Sequence, residues 1–253
     1  MRVAVEAVVG WCRGAGSASE SPLTPSPSPG GRGEQEGSTS ESPITLFGMS
    51  LSGNILLKYL GEAGTTVPPS VRAALVANPP IDLSRSVRTL TRPLNRGYDR
   101  HFTKLLIEHV RRQTELRPDF APLPRVLPKS LYDFDDRYTA PQGSYADAEE
   151  YYAAASAISR VSSITLPTTI VTTADDPLVP VEMFQEPAVS WPSAVQRIIT
   201  PGGGHLGYVS HGSADPDNRW LDWRVVEFAT GNHVPETVWP PSPPGRGAGG
   251  EGA

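Results

Sequence analysis

The stretch Ile44-Thr45-Leu46-Phe47-Gly48-Met49-Ser50-Leu51-Ser52-Gly53-Asn54 decides how this chain is read. Residues 44–47 are a short apolar run ending at a glycine, the pattern of a buried strand. Residues 51–61 then have helical character, with Gly61 as the stop. A serine two residues after a glycine, on a sharp strand-to-helix turn, is the context of a nucleophile elbow. Such a turn asks for small residues two before and two after the serine, because strand and helix pack closely there. It also sets Ser50 at a helix N-terminus, where the N–H of Leu51 can face a developing oxyanion. The usual G-x-S-x-G pattern is broken at its last position by Ser52, so some strain is expected. An ordinary strand–turn–helix with a polar turn is the plainer alternative.

Outward from this turn, residues 73–77 read as a second strand, ended by Asn78-Pro79-Pro80. Residues 83–116 are charged, with Phe102, Leu105, Leu106 and Val110 at helical spacing. Residues 117–148 read as irregular, and the acids Asp133, Asp135 and Asp136 are assigned to loop structure. Residues 151–159 look helical. Thr168–Thr173 and Val195–Thr200 read as a third and fourth strand, and Trp220–Ala229 as a final helix. Strands separated by helices argue for an α/β fold with a mainly parallel sheet.

Two further strand ends carry candidate chemistry. The third strand runs into Asp175-Asp176-Pro177-Leu178-Val179-Pro180, which sets a carboxylate at the ligand-facing edge of a parallel sheet. Asp175 and Asp176 both qualify. Asp176 is preferred on its Asp-x-x-Val-Pro spacing, with Asp175 bracing the loop; both could instead be turn formers before a proline. The fourth strand runs through Gly202-Gly203-Gly204 to His205, and such a loop lets an imidazole reach across the strand ends. His211 is the reserve. Ser50, Asp176 and His205 then stand in the order Ser, Asp, His. Ser50 would attack an acyl carbonyl, His205 would take its proton, and Asp176 would hold the imidazole tautomer. His205 and His211 lack a third ligand at motif spacing, so no metal is expected, and the triad chemistry needs no cofactor.

Composition limits the alternatives. The chain has 253 residues and a formal net charge of −5, which gives no sign of a nucleic-acid partner. Its single cysteine, Cys12, cannot form an intrachain disulfide and fits a reducing, cytoplasmic setting. No apolar run approaches the roughly 20 residues that span a bilayer, so membrane association is not evident. Residues 1–13 are read as an amphipathic helix rather than a signal peptide, because Glu6 interrupts the apolar stretch. Residues 14–42 are Ser/Pro/Gly-rich and are expected to be a disordered insertion, as are residues 234–253 as a tail. The core is expected over 43–233, with a helical lid at about 83–148. Phe102, Leu105, Leu106 and Phe120 could line an acyl pocket there, although a role as the lid's own core is preferred.

Several segments together resemble the YheT-like (EMB8-like) family of α/β hydrolases. They are Gly48-Met49-Ser50-Leu51-Ser52-Gly53-Asn54-Ile55-Leu56-Leu57-Lys58-Tyr59-Leu60-Gly61, Asn78-Pro79-Pro80-Ile81-Asp82-Leu83, Phe134-Asp135-Asp136-Arg137-Tyr138-Thr139-Ala140-Pro141, Tyr151-Tyr152, Asp175-Asp176-Pro177 and Gly203-Gly204-His205-Leu206-Gly207-Tyr208. The resemblance implies a serine hydrolase acting on a small-molecule acyl ester, with Ser50, Asp176 and His205 as its triad. It also admits an alcohol O-acyltransferase. Family members carry a longer region before the elbow, with the first strands and a His-Gly loop that supplies a second oxyanion N–H. Here 49 residues precede Ser50, and the His-Gly pair is His211-Gly212. The expectation is therefore an incomplete, N-terminally truncated α/β-hydrolase fold whose 44–47 strand is an exposed edge. Its oxyanion hole would keep only the Leu51 N–H, and losing one donor costs about 10²–10³ in kcat. An inactive fragment or pseudoenzyme is the competing expectation.

Overall fold

Alternation of apolar residues along the strands builds two cores on one sheet. In the computed structural model, which describes residues 43–117, 119–210 and 215–231, the strands are β1 (Ile44–Met49), β2 (Val71–Ala77), β3 (Thr168–Thr173) and β4 (Val195–Thr200). They form one sheet in the order β1-β2-β3-β4, and every pairing is parallel. Because successive side chains point to opposite faces, Ala74 and Val76 join one apolar cluster while Leu75 and Ala77 join the other. The first cluster takes Leu56, Leu57 and Leu60 from helix α1 (Ser50–Ala63). Each such leucine contributes about 1.5–3 kcal/mol by leaving water. Among the described residues β1 pairs only with β2, and Phe47 and Met49 on it are exposed.

Between β2 and β3 the chain makes a helical excursion. Helix α2 (Leu83–Leu90) is capped by Asp82, whose carboxylate accepts from the Arg85 N–H at 3.1 Å. Helix α3 (Arg96–Leu116) is the longest in the described residues. The irregular reading of residues 117–148 is corrected here. Leu131–Phe134 forms helix α4, which runs through one π turn, Asp135–Thr139, into Ala140–Gln142. Ser130 caps it by accepting from the Asp133 N–H. The acids assigned to a loop are thus helical and separately engaged: Asp133 pairs with Arg137, Asp136 accepts from the Ala148 N–H, and Asp135 is buried.

Helix α5 (Ala148–Ala155) starts at the Asp147 cap and ends before the sequence pattern does. Asn54 explains the early end. Its buried side chain donates to the Ala155 carbonyl at 3.0 Å and accepts from the Ala157 N–H at 2.8 Å, drawing the chain out of the helix and onto α1. Gly61 serves the same junction, since a Cβ there would lie 2.2 Å from the Arg160 carbonyl oxygen. A short helix α6 (Glu182–Gln185) follows β3. The final helix α7 (Trp220–Ala229) seats Trp220 and Leu221 in the second cluster. No helix among the described residues is long and apolar enough to cross a membrane. The helix expected over 1–13 with Cys12, the stretch 14–42, His211, His233 and the tail 234–253 lie outside the described residues.

Candidate active site

The β1–α1 turn places Ser50 at the first position of the helix with φ at +48°, a left-handed conformation that a non-glycine residue adopts only under constraint. The constraint is close packing. A Cβ at Gly48 would lie 2.9 Å from the Gly53 Cα, and one at Gly53 would lie 2.6 Å from Val76 Cγ1. The tight glycine positions are therefore 48 and 53. The Ser52 hydroxyl accepts from the Met49 N–H at 2.9 Å and donates to the Met49 carbonyl at 2.7 Å, tying the turn closed.

The three separated residues meet at the strand ends. His205 Nε2 lies 2.8 Å from Ser50 Oγ, and His205 Nδ1 lies 2.9 Å from Asp176 Oδ2. An ionised carboxylate only accepts, so Nδ1 carries the proton and Nε2 is left as acceptor for the Ser50 hydroxyl. The Asp176 side chain is fully buried, whereas that of His205 is 21% exposed. Asp176 Oδ1 also accepts from the N–H groups of Leu178 and Val179 at 2.8 and 3.0 Å. Burial works to raise its carboxyl, but the hydrogen bond and charge of His205, with the Leu178 N–H and the Asn78 amide, hold it below the ordinary carboxylate range. Asp175 accepts from the Gly204 N–H at 2.8 Å and so fixes the glycine loop. Leu51 follows Ser50 in the first turn of α1, where backbone N–H groups lack intrahelical acceptors.

Two residues that sequence reasoning did not single out complete this arrangement. Asn78, at the end of β2 with φ at +45°, donates to Asp176 Oδ2 at 2.7 Å and to the Gly204 carbonyl at 3.3 Å. Its side-chain Oδ1 accepts from the buried Tyr208 hydroxyl. Burial and the nearby Asp176 charge push that phenol above its usual range. Asn78 thus joins the acid loop, the histidine loop and the second core. The available signal was a polar residue at the end of an otherwise apolar strand, just before two prolines.

Ser50 and His205 open into a cavity of about 480 Å³, within the usual size of small-molecule sites. Its far wall is the helical excursion, with Leu83, Val87, Leu106 and Phe134 among the lining residues. Leu106 packs into the excursion's own core beside Val110, Phe134 and Tyr138, yet with Phe102 and Leu105 it also borders this space. Phe120 does not; it packs with Val110, Phe134 and Tyr138. Among the described residues no group of His, Cys, Asp or Glu is placed to hold a metal ion.

No protein-family model matches the chain. Among curated proteins it is similar to the putative esterase YheT of Escherichia coli (strain K12), 31% identical over 192 residues, which covers 75% of this chain and 55% of that protein. It is 31% identical over 215 residues to medium-chain fatty acid ethyl ester synthase/esterase 2 of Saccharomyces cerevisiae, covering 74% and 45%. It is 26% identical over 196 residues to the embryogenesis-associated protein EMB8 of Picea glauca, covering 75% and 42%. The chain spans about half the length of the curated relatives it matches.

A parallel sheet flanked by helices, with a strained serine at a strand-to-helix turn, defines an α/β hydrolase. Within that class, the chain belongs to the YheT-like (EMB8-like) family.

Proposed function

We propose that this protein hydrolyses carboxylic esters through Ser50, His205 and Asp176. The observation that carries the reading is the unbroken hydrogen-bonded run from Ser50 Oγ through both imidazole nitrogens to a buried carboxylate, at the mouth of an apolar cavity. His205 Nε2 takes the Ser50 proton as Oγ attacks the carbonyl carbon. The Leu51 N–H faces the developing oxyanion. Asp176 stabilises the imidazolium, which then returns the proton to the leaving alcohol. Water attacks the acyl-enzyme in the second half with the same base, releasing the acid and restoring Ser50. An alcohol in place of water would give a new ester, the acyl-transfer variant, and the name of the yeast relative includes both synthase and esterase.

In this reading residues 83–148 act as a lid whose Leu105, Leu106 and Phe102 receive the acyl chain. A fluorophosphonate probe tests the proposal directly. Labelling of the purified protein that is lost in both Ser50→Ala and His205→Ala is expected. A folded, soluble protein that stays unlabelled would leave the inactive-fragment reading in its place.

A further inference from the structure

One residue in the cavity wall belongs neither to the apolar lining nor to the proposed triad. Asp135 is 9% exposed and borders the same space as Ser50 and His205. Its Oδ2 accepts from the Tyr152 hydroxyl at 2.7 Å, and its Oδ1 accepts from the Thr139 hydroxyl at 2.7 Å. No Lys, Arg or His among the described residues forms an ion pair with it. A carboxylate offers about four acceptor sites, and two hydroxyl donors leave the others unmet in an apolar space. Burial pushes this carboxyl up, with its two hydroxyl partners opposing.

The backbone points the same way. Asp135 opens the π turn Asp135–Thr139, and single π turns within helices re-aim side chains and recur at functional sites. A purely structural strut between α4 and α5 could be made by the Tyr152 bond away from the cavity. Here both partners, Asp135 and Tyr152, line the space that would hold an acyl chain. A hydrocarbon chain alone would leave the carboxylate facing methylenes, a costly arrangement. A hydroxyl on that chain would meet it.

We infer that Asp135 is a specificity-determining residue that accepts a hydrogen bond from a hydroxyl on the acyl chain, so that the cavity selects hydroxyacyl esters over plain acyl esters of equal length. This deepens, and rests on, the reading of the cavity as an acyl site.

Binding to the Ser50→Ala protein tests it without needing turnover. The probes are methyl octanoate and its positional monohydroxy isomers, titrated calorimetrically. At least one isomer is expected to bind about tenfold or more tightly than the plain ester. Asp135→Leu should erase that advantage without weakening methyl octanoate, whose chain no longer faces a carboxylate. If Asp135→Leu fails to fold, Tyr152→Phe decides: freeing Oδ2 should enlarge the advantage of the same isomer. The inference is overturned if no isomer exceeds the plain ester, if the advantage survives Asp135→Leu, or if the variants weaken both ligands equally, as a strut would. Absent fluorophosphonate labelling with an intact isomer preference would reject hydrolysis and keep the hydroxyacyl site.

Discussion

The strand-end region and the helical excursion each bury one carboxylate beside the same cavity, and the two behave in opposite ways. Asp176 is met by an imidazole that can carry charge, by two backbone N–H groups and by an amide, and it is held below the ordinary range. Asp135 is met only by hydroxyls and is pushed above it. Burial is common to both, so burial does not set the sign. What differs is whether the surrounding donors stabilise the charged form enough to outweigh desolvation. The strand ends supply backbone donors and a glycine loop that can converge on a point. Around Asp135 the helix N–H groups are spent internally, and only the Thr139 and Tyr152 hydroxyls reach it.

The largest test of this contrast is a matched pair of isosteric changes. Asp176→Asn should slow fluorophosphonate labelling and ester turnover by about 10⁴, because the amide no longer enforces the productive imidazole tautomer. Asp135→Asn should leave labelling within about threefold. Equal losses in both would break the division between the two regions. Next in size, Asn78→Ala should cut kcat by roughly 10–100-fold with KM little changed, since it removes a donor to a charged, buried acceptor. Tyr208→Phe, which removes only the donor to Asn78, should cost about 1–3 kcal/mol of stability in denaturant titrations.

Thermal unfolding against pH gives a smaller but more pointed comparison. A carboxyl depressed in the folded state contributes stability above its ordinary pKa near 4, lost as pH falls through the folded value. Asp176 should therefore support the fold at neutral pH and fail it in acid. A raised carboxyl reverses the sign: stability is full below about pH 4 and declines as pH rises through the folded value. Asp135→Asn should accordingly raise Tm relative to the parent at pH 7 and lose that gain near pH 3.5. The smallest effect is expected at Ser52→Gly, which restores the usual elbow residue but removes both bonds to Met49. A loss of about 1 kcal/mol, read as a drop of a few degrees in Tm, would show that the serine stabilises the turn.

Much of this arrangement was legible in the chain. Apolar runs bounded by Gly and Pro marked all four strands, and β3 and β4 kept their full expected bounds. The order of Ser50, Asp176 and His205 placed each at a strand end, where a parallel sheet gathers its ligands. What the pattern hid has physical causes. The prolines and acids around residues 117–148 mimic a loop, yet the Ser130 cap and the Asp133–Arg137 pair support a helix from Leu131. One partner of Asp135 is Tyr152, on another helix, and no local spacing reveals it. Asn78 acts through a positive φ and contacts about 98 and 126 residues away in sequence, which only the folded chain brings near. Asn54 was read as part of a family pattern, while its role is to end a helix distant in sequence.

That last contact has a mechanical meaning. The amide of Asn54 rivets the middle of α1 to the point where the chain leaves α5. Ser50 begins α1, and Tyr152, a partner of Asp135, lies on α5. On the proposed reading, the floor that presents the serine and the wall that would meet an acyl chain are parts of one frame. On that reading, a ligand that wedged α5 outward would have to drag the serine with it or break the Asn54 bonds, so a poor fit at the far wall would be felt at Ser50.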